Sequence, residues 1–148
     1  MPSTHVSLHY HVVWSTKDRR PSIDSAWRER LQAWLGGSIR DQEGVPVAIG
    51  GIADHVHALM GLKATHRLSD VMRMIKSESS EWVHREATGA GFAWQEGYGA
   101  FTVSPQNLDS VRHYILNQEE HHRKSTFQEE YLDLLKRSGT HFDERYVW

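Results

Sequence analysis

The segment best suited to chemistry is His55-Val56-His57. In a strand, residues i and i+2 point to one face with Cα atoms about 7 Å apart, and the residue between them points to the other. Two imidazoles at that spacing can converge on a divalent ion. On a solvated strand face they would be no more than two polar side chains. Read that way, His57 has little packing to lose, and His57→Ala costs only about 0.5 kcal/mol. Asp54 directly precedes the pair and either orients an imidazole through its second nitrogen or makes a turn. A second group is Tyr114-Ile115-Leu116-Asn117-Gln118. On a helix, Tyr114 and Gln118 are four apart and share a face. A tyrosine hydroxyl at a core edge is ordinarily a hydrogen-bonded aromatic, but beside a metal or a base it becomes a nucleophile. Gln118 supplies a neutral carbonyl oxygen able to ligate a metal.

A third group is basic. Lys17, Arg19 and Arg20 close the first strand, Arg73 and Lys76 flank a helical core stripe, and Arg123 and Lys124 follow a later helix. Residues 1–40 hold six basic and three acidic residues, against five and seven over 119–148, so any strip that follows phosphates draws on the first part of the chain. Solvated surface charge is the plainer reading of the same residues. His5, His9, His11, His121 and His122 are read as hydrogen-bonding or surface residues.

The elements that must position these groups follow from periodicity. Over 6–16, Val6, Leu8, Tyr10, Val12 and Trp14 alternate with polar residues, which predicts a strand. Trp27, Leu31, Trp34 and Leu35 form a helical stripe, with Ser22, Asp24 and Ser25 as candidate N-caps. Strands are predicted over 45–52 and 55–62, joined as a hairpin at Asp54. Leu68, Val71, Met72 and Ile75 start a second helical stripe ending near Thr88-Gly89, with a loop from Gly89 to Gly91. A fourth strand falls at 99–103. A third helix runs from Asn107 or Asp109 to about His122, and a tail helix spans 127–136. The order β-α-β-β-α-β predicts an α+β, ferredoxin-like fold: an antiparallel sheet with strands 1 and 3 central, helices on one face, and additional C-terminal helices. Fold alone does not give function.

Composition narrows the class. A chain of 148 residues suits a single domain, read as a catalytic core over 1–122 and a C-terminal extension over 123–148. Formal net charge is −2, so a basic nucleic-acid coat is excluded and any such affinity must come from a local groove. There is no cysteine, which removes thiolate catalysis, disulfides and cysteine-based zinc sites. No apolar run approaches the roughly 18–20 residues that span a bilayer. With no signal-peptide pattern at the N-terminus, the expectation is a cytoplasmic protein without a membrane partner.

Taken together, HVVWSTKDRRP, ADHVHALM, DVMRMIKSESS, WQEGYGAFTVS and YILNQEEHH, in this order, resemble the single-tyrosine HUH transposases of the insertion sequence 200/605 type and their REP-associated relatives. The family usually has proline where this chain has Ala53. The resemblance implies that His55, His57 and Gln118 hold Mg²⁺ or Mn²⁺. It also implies that Tyr114 attacks a phosphodiester of single-stranded DNA, leaving a 5′-phosphotyrosine and a free 3′-hydroxyl. Later attack by a 3′-hydroxyl rejoins the strand. It further implies hairpin-ended DNA as substrate and a homodimer joined sheet to sheet, with the Tyr114 helix placed to serve the partner's histidines. Two other readings compete: a DNA-binding regulator that keeps only the fold, and a metal-dependent phosphodiesterase in which water attacks. Of the three, only the transposase forms a covalent protein–DNA adduct.

Overall fold

A computed structural model of the chain describes residues 3–87 and 91–148. The alternating segment forms β1 (Leu8–Ser15), and the charged segment after it turns tightly, with Asp18 and Arg19 at positive φ. Asp24 caps α1 (Ser25–Asp41), accepting from the backbone N–H of Ala26 at 2.8 Å. Then come the hairpin β2 (Val45–Gly51) and β3 (His55–Leu62), α2 (Leu68–Glu86) and the short β4 (Gly99–Thr102). The helix end expected at Thr88-Gly89, and the start of the loop after it, lie outside the described residues. The sheet is antiparallel with order β2-β3-β1-β4, so β3 and β1 are its central pair, as the periodicity predicts.

One face of the sheet carries Val12, Trp14, Val56, Ala58 and Met60. These pack with Leu31, Leu35 and Ile39 of α1 and Met72, Ile75 and Val83 of α2 in the main core. Burial of each large aliphatic side chain contributes about 1.5–3 kcal/mol. The opposite face departs from expectation because it is roofed as well. Val13 packs with Phe127, Tyr131 and Leu135, and Leu59 and Ala48 pack with Ile115. The helices therefore cover both faces: α1 and α2 on one, the C-terminal helices on the other.

The long third helix expected to run to His122 is broken. The chain leaves a 3-10 turn at Pro105–Asn107, forms α3 (Leu108–Leu116), breaks at Asn117, and restarts as α4 (Gln118–His121). Asn117 has φ −107° and ψ 30°, outside helical values, and its N–H reaches only to the carbonyl of Tyr114. The helix α5 (Phe127–Arg137) follows, capped by Thr126, whose hydroxyl accepts from Glu129 N–H.

Gly50 sets how closely α3 approaches the sheet. A Cβ placed there would lie 2.1 Å from the carbonyl oxygen of Ile115, so only glycine admits that backbone. Gly50 pairs with His57 in the ladder, which brings the end of α3 beside the histidine strand.

Candidate active site and metal-binding pocket

His55 and His57 point to the roofed face, and both are fully buried. The expectation of a solvated strand face is therefore corrected: the cover supplied by α3, α4 and α5 turns these residues into core histidines with chemical partners. His55 Nδ1 lies 2.7 Å from Asp54 Oδ1. The Asp54 backbone carbonyl in turn accepts from Thr16 N–H at 2.9 Å, so the turn is tied to the end of β1. His57 Nδ1 meets His11 Nε2 at 2.7 Å, with the two rings stacked, and His57 Nε2 meets Glu130 Oε1 at 2.9 Å. His11 is 4% exposed and belongs to the site, whereas His5 and His9 lie outside the buried cluster.

Tyr114, from α3, donates its hydroxyl hydrogen bond to Glu130 Oε2. Its ring stands perpendicular to that of His57, 5.7 Å between centroids. The tyrosine thus sits over the histidines of its own chain. The short link through Pro105–Asn107 and the Gly50 contact hold α3 there. Gln118 is buried, with Oε1 3.0 Å from His55 Nε2 and Nε2 donating to the Tyr114 carbonyl at 3.3 Å. His122 Nε2 lies 3.1 Å from His55 Nε2 and 3.0 Å from Gln118 Oε1, and its Nδ1 donates to the Ser125 carbonyl at 2.8 Å. Phe127 stacks on His55 at 4.3 Å between centroids and closes the cluster.

These contacts set the electrostatics. Burial pulls His55 down, but hydrogen bonds to Asp54 and Glu130 outweigh it and raise its pKa to about 9. For His57 burial wins over the Glu130 bond and lowers it to about 4; burial together with the His57 charge takes His11 to about 3. Burial would raise the Glu130 carboxyl, yet hydrogen bonds from His122, His55 and His57 hold it well below the usual carboxylate range. Burial and the neighbouring carboxylate push the Tyr114 phenol well above its ordinary value. The cluster is therefore a protonated phenol held against an ionised carboxylate, with imidazole nitrogens behind.

The donors fit a divalent ion. His55, His122 and Glu130 each offer one ligand atom at mutual reach, and Gln118 Oε1 adds a neutral oxygen. His122 and Glu130 are not among the residues expected from sequence. A signal for each was present: His122 follows Gln118 by four, and Glu130 interrupts the apolar stripe Phe127, Tyr131, Leu134, where a carboxylate needs partners.

The basic residues take other positions. Lys76 Nζ donates to the carbonyls of Gln95, Glu96 and Gly97 at 2.6, 3.0 and 2.9 Å, which pins the loop before β4. Arg73 pairs with Asp70 at 3.4 Å, and Arg20 with Asp18 at 3.8 Å, both on the surface. Arg19 stacks over Trp148 at 4.8 Å, and Lys17 lines the cleft that contains Trp148. Arg73 and Lys76 border a separate cleft with Trp94 and Tyr98. Tyr114 lines two clefts: one of about 550 Å³ bordered by His11, His121, Glu130, Asp133 and Arg137, and one bordered by His113, Asn117, His121 and Lys124. His121 Nε2 lies 3.2 Å from Glu130 Oε2 but is not aligned for a hydrogen bond.

The family model described as transposase IS200 like matches residues 4–118, a span that contains His55, His57, Tyr114 and Gln118. The chain belongs to the IS200-like transposase family. The match ends before His122 and Glu130, so part of the family member's buried cluster comes from outside the matched span. Among solved structures, an inferred transposase from Deinococcus radiodurans R1 is similar, with 26% identity, a TM-score of 0.61, and coverage of 80% of this chain and 95% of that one. A REP-associated tyrosine transposase bound to a REP hairpin has the same fold at 15% identity, with a TM-score of 0.54 and coverage of 78% and 67%. No curated protein matches the chain. Among the described residues, no helix of this transposase-family chain is long and apolar enough to cross a membrane.

Proposed function

We propose that this transposase-family chain cleaves and rejoins single-stranded DNA, with Tyr114 as nucleophile. The observation that carries the reading is the Tyr114 hydroxyl bonded to the Glu130 carboxylate beside the buried histidines, in one chain. The Tyr114 oxygen forms a bond to phosphorus, and the bond from phosphorus to the DNA 3′-oxygen breaks. The phenol proton passes to Glu130 Oε2, and the departing 3′-oxygen takes a proton from water. The strand's 5′ end stays on the protein as a phosphotyrosine, which conserves the bond energy for resealing. On resealing, a 3′-hydroxyl attacks the same phosphorus and gives its proton back to water, the bond from phosphorus to the Tyr114 oxygen breaks, and Glu130 returns its proton to that oxygen. A phenol held this firmly protonated needs a base within hydrogen-bond reach, and Glu130 is the group in that position.

His55, His57 and Gln118 would hold a divalent ion, Mg²⁺ or Mn²⁺, in the pocket they line, and such an ion would supply positive charge beside the reacting phosphate. Asp54 keeps the His55 ring turned toward that pocket. The strand reaches Tyr114 through one of the adjacent clefts, and single-strandedness lets one backbone bend into it. Hairpin-ended DNA is the proposed substrate; the hairpin-bound relative of the same fold supports it. Lys17 lines one cleft and Arg73 and Lys76 another, and these residues with Arg19 and Arg20 are proposed to contact phosphates, Lys76 by shaping a loop and the arginines by direct charge. The chain is proposed to act as a cytoplasmic homodimer, each subunit carrying a complete site.

The test is an oligonucleotide assay. Single-stranded DNA carrying an element-end hairpin is incubated with protein and Mg²⁺ or Mn²⁺ and resolved on a denaturing gel. A covalent adduct that disappears in Tyr114→Phe supports the reading. Cleavage without any adduct would assign the attack to water, and binding without cleavage would leave a regulator.

A further inference from the structure

Tyr114, Ser110, His121 and Ser125 border both of the clefts that meet at the nucleophile, so a strand reaching Tyr114 uses one cleft or the other. Their charges differ. In the first, Asp133 pairs with Arg137 at 2.9 Å, and the ionised Glu130 stands 3.4 Å from His55, which is held protonated. Glu129 lies at the rim of the same cleft, exposed and, among the described residues, without a cationic partner. In the second, Glu120 pairs with Arg123 at 2.8 Å. Lys124 is exposed there and, among the described residues, pairs with no carboxylate. The first cleft is left with a free carboxylate and the second with a free ammonium. A phosphate backbone is repelled by the one and drawn by the other.

Geometry selects the same cleft. The Tyr114 hydroxyl donates to Glu130, and Glu130 borders only the first cleft. A phosphate entering there would crowd the carboxylate that takes the phenol proton. One entering from the second cleft leaves that hydrogen bond in place. The second cleft opens where the chain leaves α3 at Asn117 and turns into α4, and the turn equips it with donors. The Asn117 amide donates to His113 Nε2 at 2.9 Å, so the neutral ring carries its proton on Nδ1, which can donate to a phosphate oxygen. His121, in the wall the clefts share, has a buried Nε2 that no hydrogen bond satisfies among the described residues, so the wall holds a polar atom still to be paired.

We propose that the scissile strand lies in the cleft between α3 and α4, with Lys124 Nζ and His113 Nδ1–H on phosphates beside the reacting one, and that the acidic cleft stays free of DNA. The inference rests on the reading that Tyr114 cleaves single-stranded DNA; it names the face the strand uses and two contacts on it. Lys124 and His113 bind substrate and take no part in the proton transfer between Tyr114 and Glu130.

The experiment measures equilibrium binding in the full chain carrying Tyr114→Phe, where no cleavage intervenes. Fluorescence anisotropy of a labelled hairpin with a single-stranded flank is followed over a range of salt concentrations. Each phosphate contact by a cation on a single strand contributes about 0.7 to the slope of log affinity against log salt. Adding Lys124→Gln should therefore reduce the slope by about 0.7 and weaken binding about 4-fold at about 0.15 M salt. Adding His113→Leu should weaken binding with the slope unchanged, because a neutral donor displaces no counterion. Glu129→Gln should leave affinity within about 2-fold. With Tyr114 intact, Lys124→Gln should slow adduct formation by raising KM while kcat holds. Slope and affinity unchanged in Lys124→Gln, or binding strengthened about 4-fold by Glu129→Gln, would overturn the proposal and put the strand in the acidic cleft. A parent protein that binds no single-stranded DNA would overturn the proposal together with the reading it rests on. Binding with the expected Lys124 effect, but no adduct when Tyr114 is present, would support this seat and overturn the proposed reaction alone.

Discussion

Replacing Gly50 with alanine should disturb the site through the backbone alone. The new Cβ would meet the Ile115 carbonyl oxygen at 2.1 Å and the Ile115 carbonyl carbon at 3.0 Å, distances that real contacts do not sustain. Both groups are main chain, so no rotamer change relieves the clash, and the end of α3 must retreat by about 1 Å. Overpacking of this kind costs about 1–3 kcal/mol of stability. Tyr114 and Gln118 flank Ile115 and would move with it. A misplacement of about 1 Å in reacting groups costs about 100-fold in rate. Gly37 provides the control: it lies within α1, nothing stands within 4 Å of the point a Cβ would occupy, and alanine there should add about 0.5–1 kcal/mol. The assay pairs urea denaturation with the rate of DNA-adduct formation for both variants under conditions where each is folded. Gly50→Ala with wild-type stability and wild-type cleavage would refute the claim that this glycine sets the height of α3 over the histidines.

Four further outcomes follow from the same geometry. His57→Ala should cost about 2–4 kcal/mol, since it empties a fully buried position and removes partners of Glu130 and His11; a loss under about 0.5 kcal/mol on denaturation would mean the face is solvated after all. In chelator, stability should peak near pH 6.5. His11 and His57 have folded pKa values lowered to about 3 and 4, so their contribution is present above the unfolded value near 6.5 and is lost as pH falls, by up to about 1.4 kcal/mol per unit each. His55, raised to about 9, contributes below 6.5 and loses that contribution as pH rises toward 9. Denaturation curves that are flat between pH 5 and 8.5 would contradict the buried network. Heterodimers of Tyr114→Phe with His57→Ala should regain no cleavage, because in the proposed homodimer with a complete site in each subunit both sites carry a defect; recovered cleavage on a denaturing gel would place the tyrosine of one subunit over the histidines of the other. Tyr114→Phe should still bind hairpin DNA within a few-fold in a gel-shift assay, because the ring keeps its packing; lost binding would give the hydroxyl a role in recognition.

Much of this molecule is legible from residue pattern. Alternation in β1, the stripes of α1 and α2, and the close spacing of β2 and β3 report local geometry, and the sheet has the central pair they predict. The His-x-His pair and the Tyr114–Gln118 spacing are also local signals, and the fold brings these four residues into one neighbourhood. What the pattern does not convey is depth. Period-2 alternation says that His55 and His57 share a face with His11, but not that a later helix will cover it. The height of α3 over the sheet depends on the contact between Ile115 and Gly50, sixty-odd residues earlier, which no window of sequence contains. His122 and Glu130 escape pattern reading for the same reason. Their chemistry depends on a neighbour brought in by the sheet, although a carboxylate inside the apolar stripe of α5 is the visible sign.

The central claim is a covalent bond between Tyr114 and DNA, and it can be measured directly. Wild-type protein is incubated with hairpin-ended single-stranded DNA and Mn²⁺, denatured, digested with nuclease and protease, and the peptides are analysed by mass spectrometry. The account predicts one modified peptide, carrying a residual nucleotide through its 5′-phosphate on Tyr114, formed only with a divalent ion and matched by a free 3′-hydroxyl on the released strand. DNA cleaved with every peptide unmodified, or the nucleotide found on a residue other than Tyr114, would contradict it.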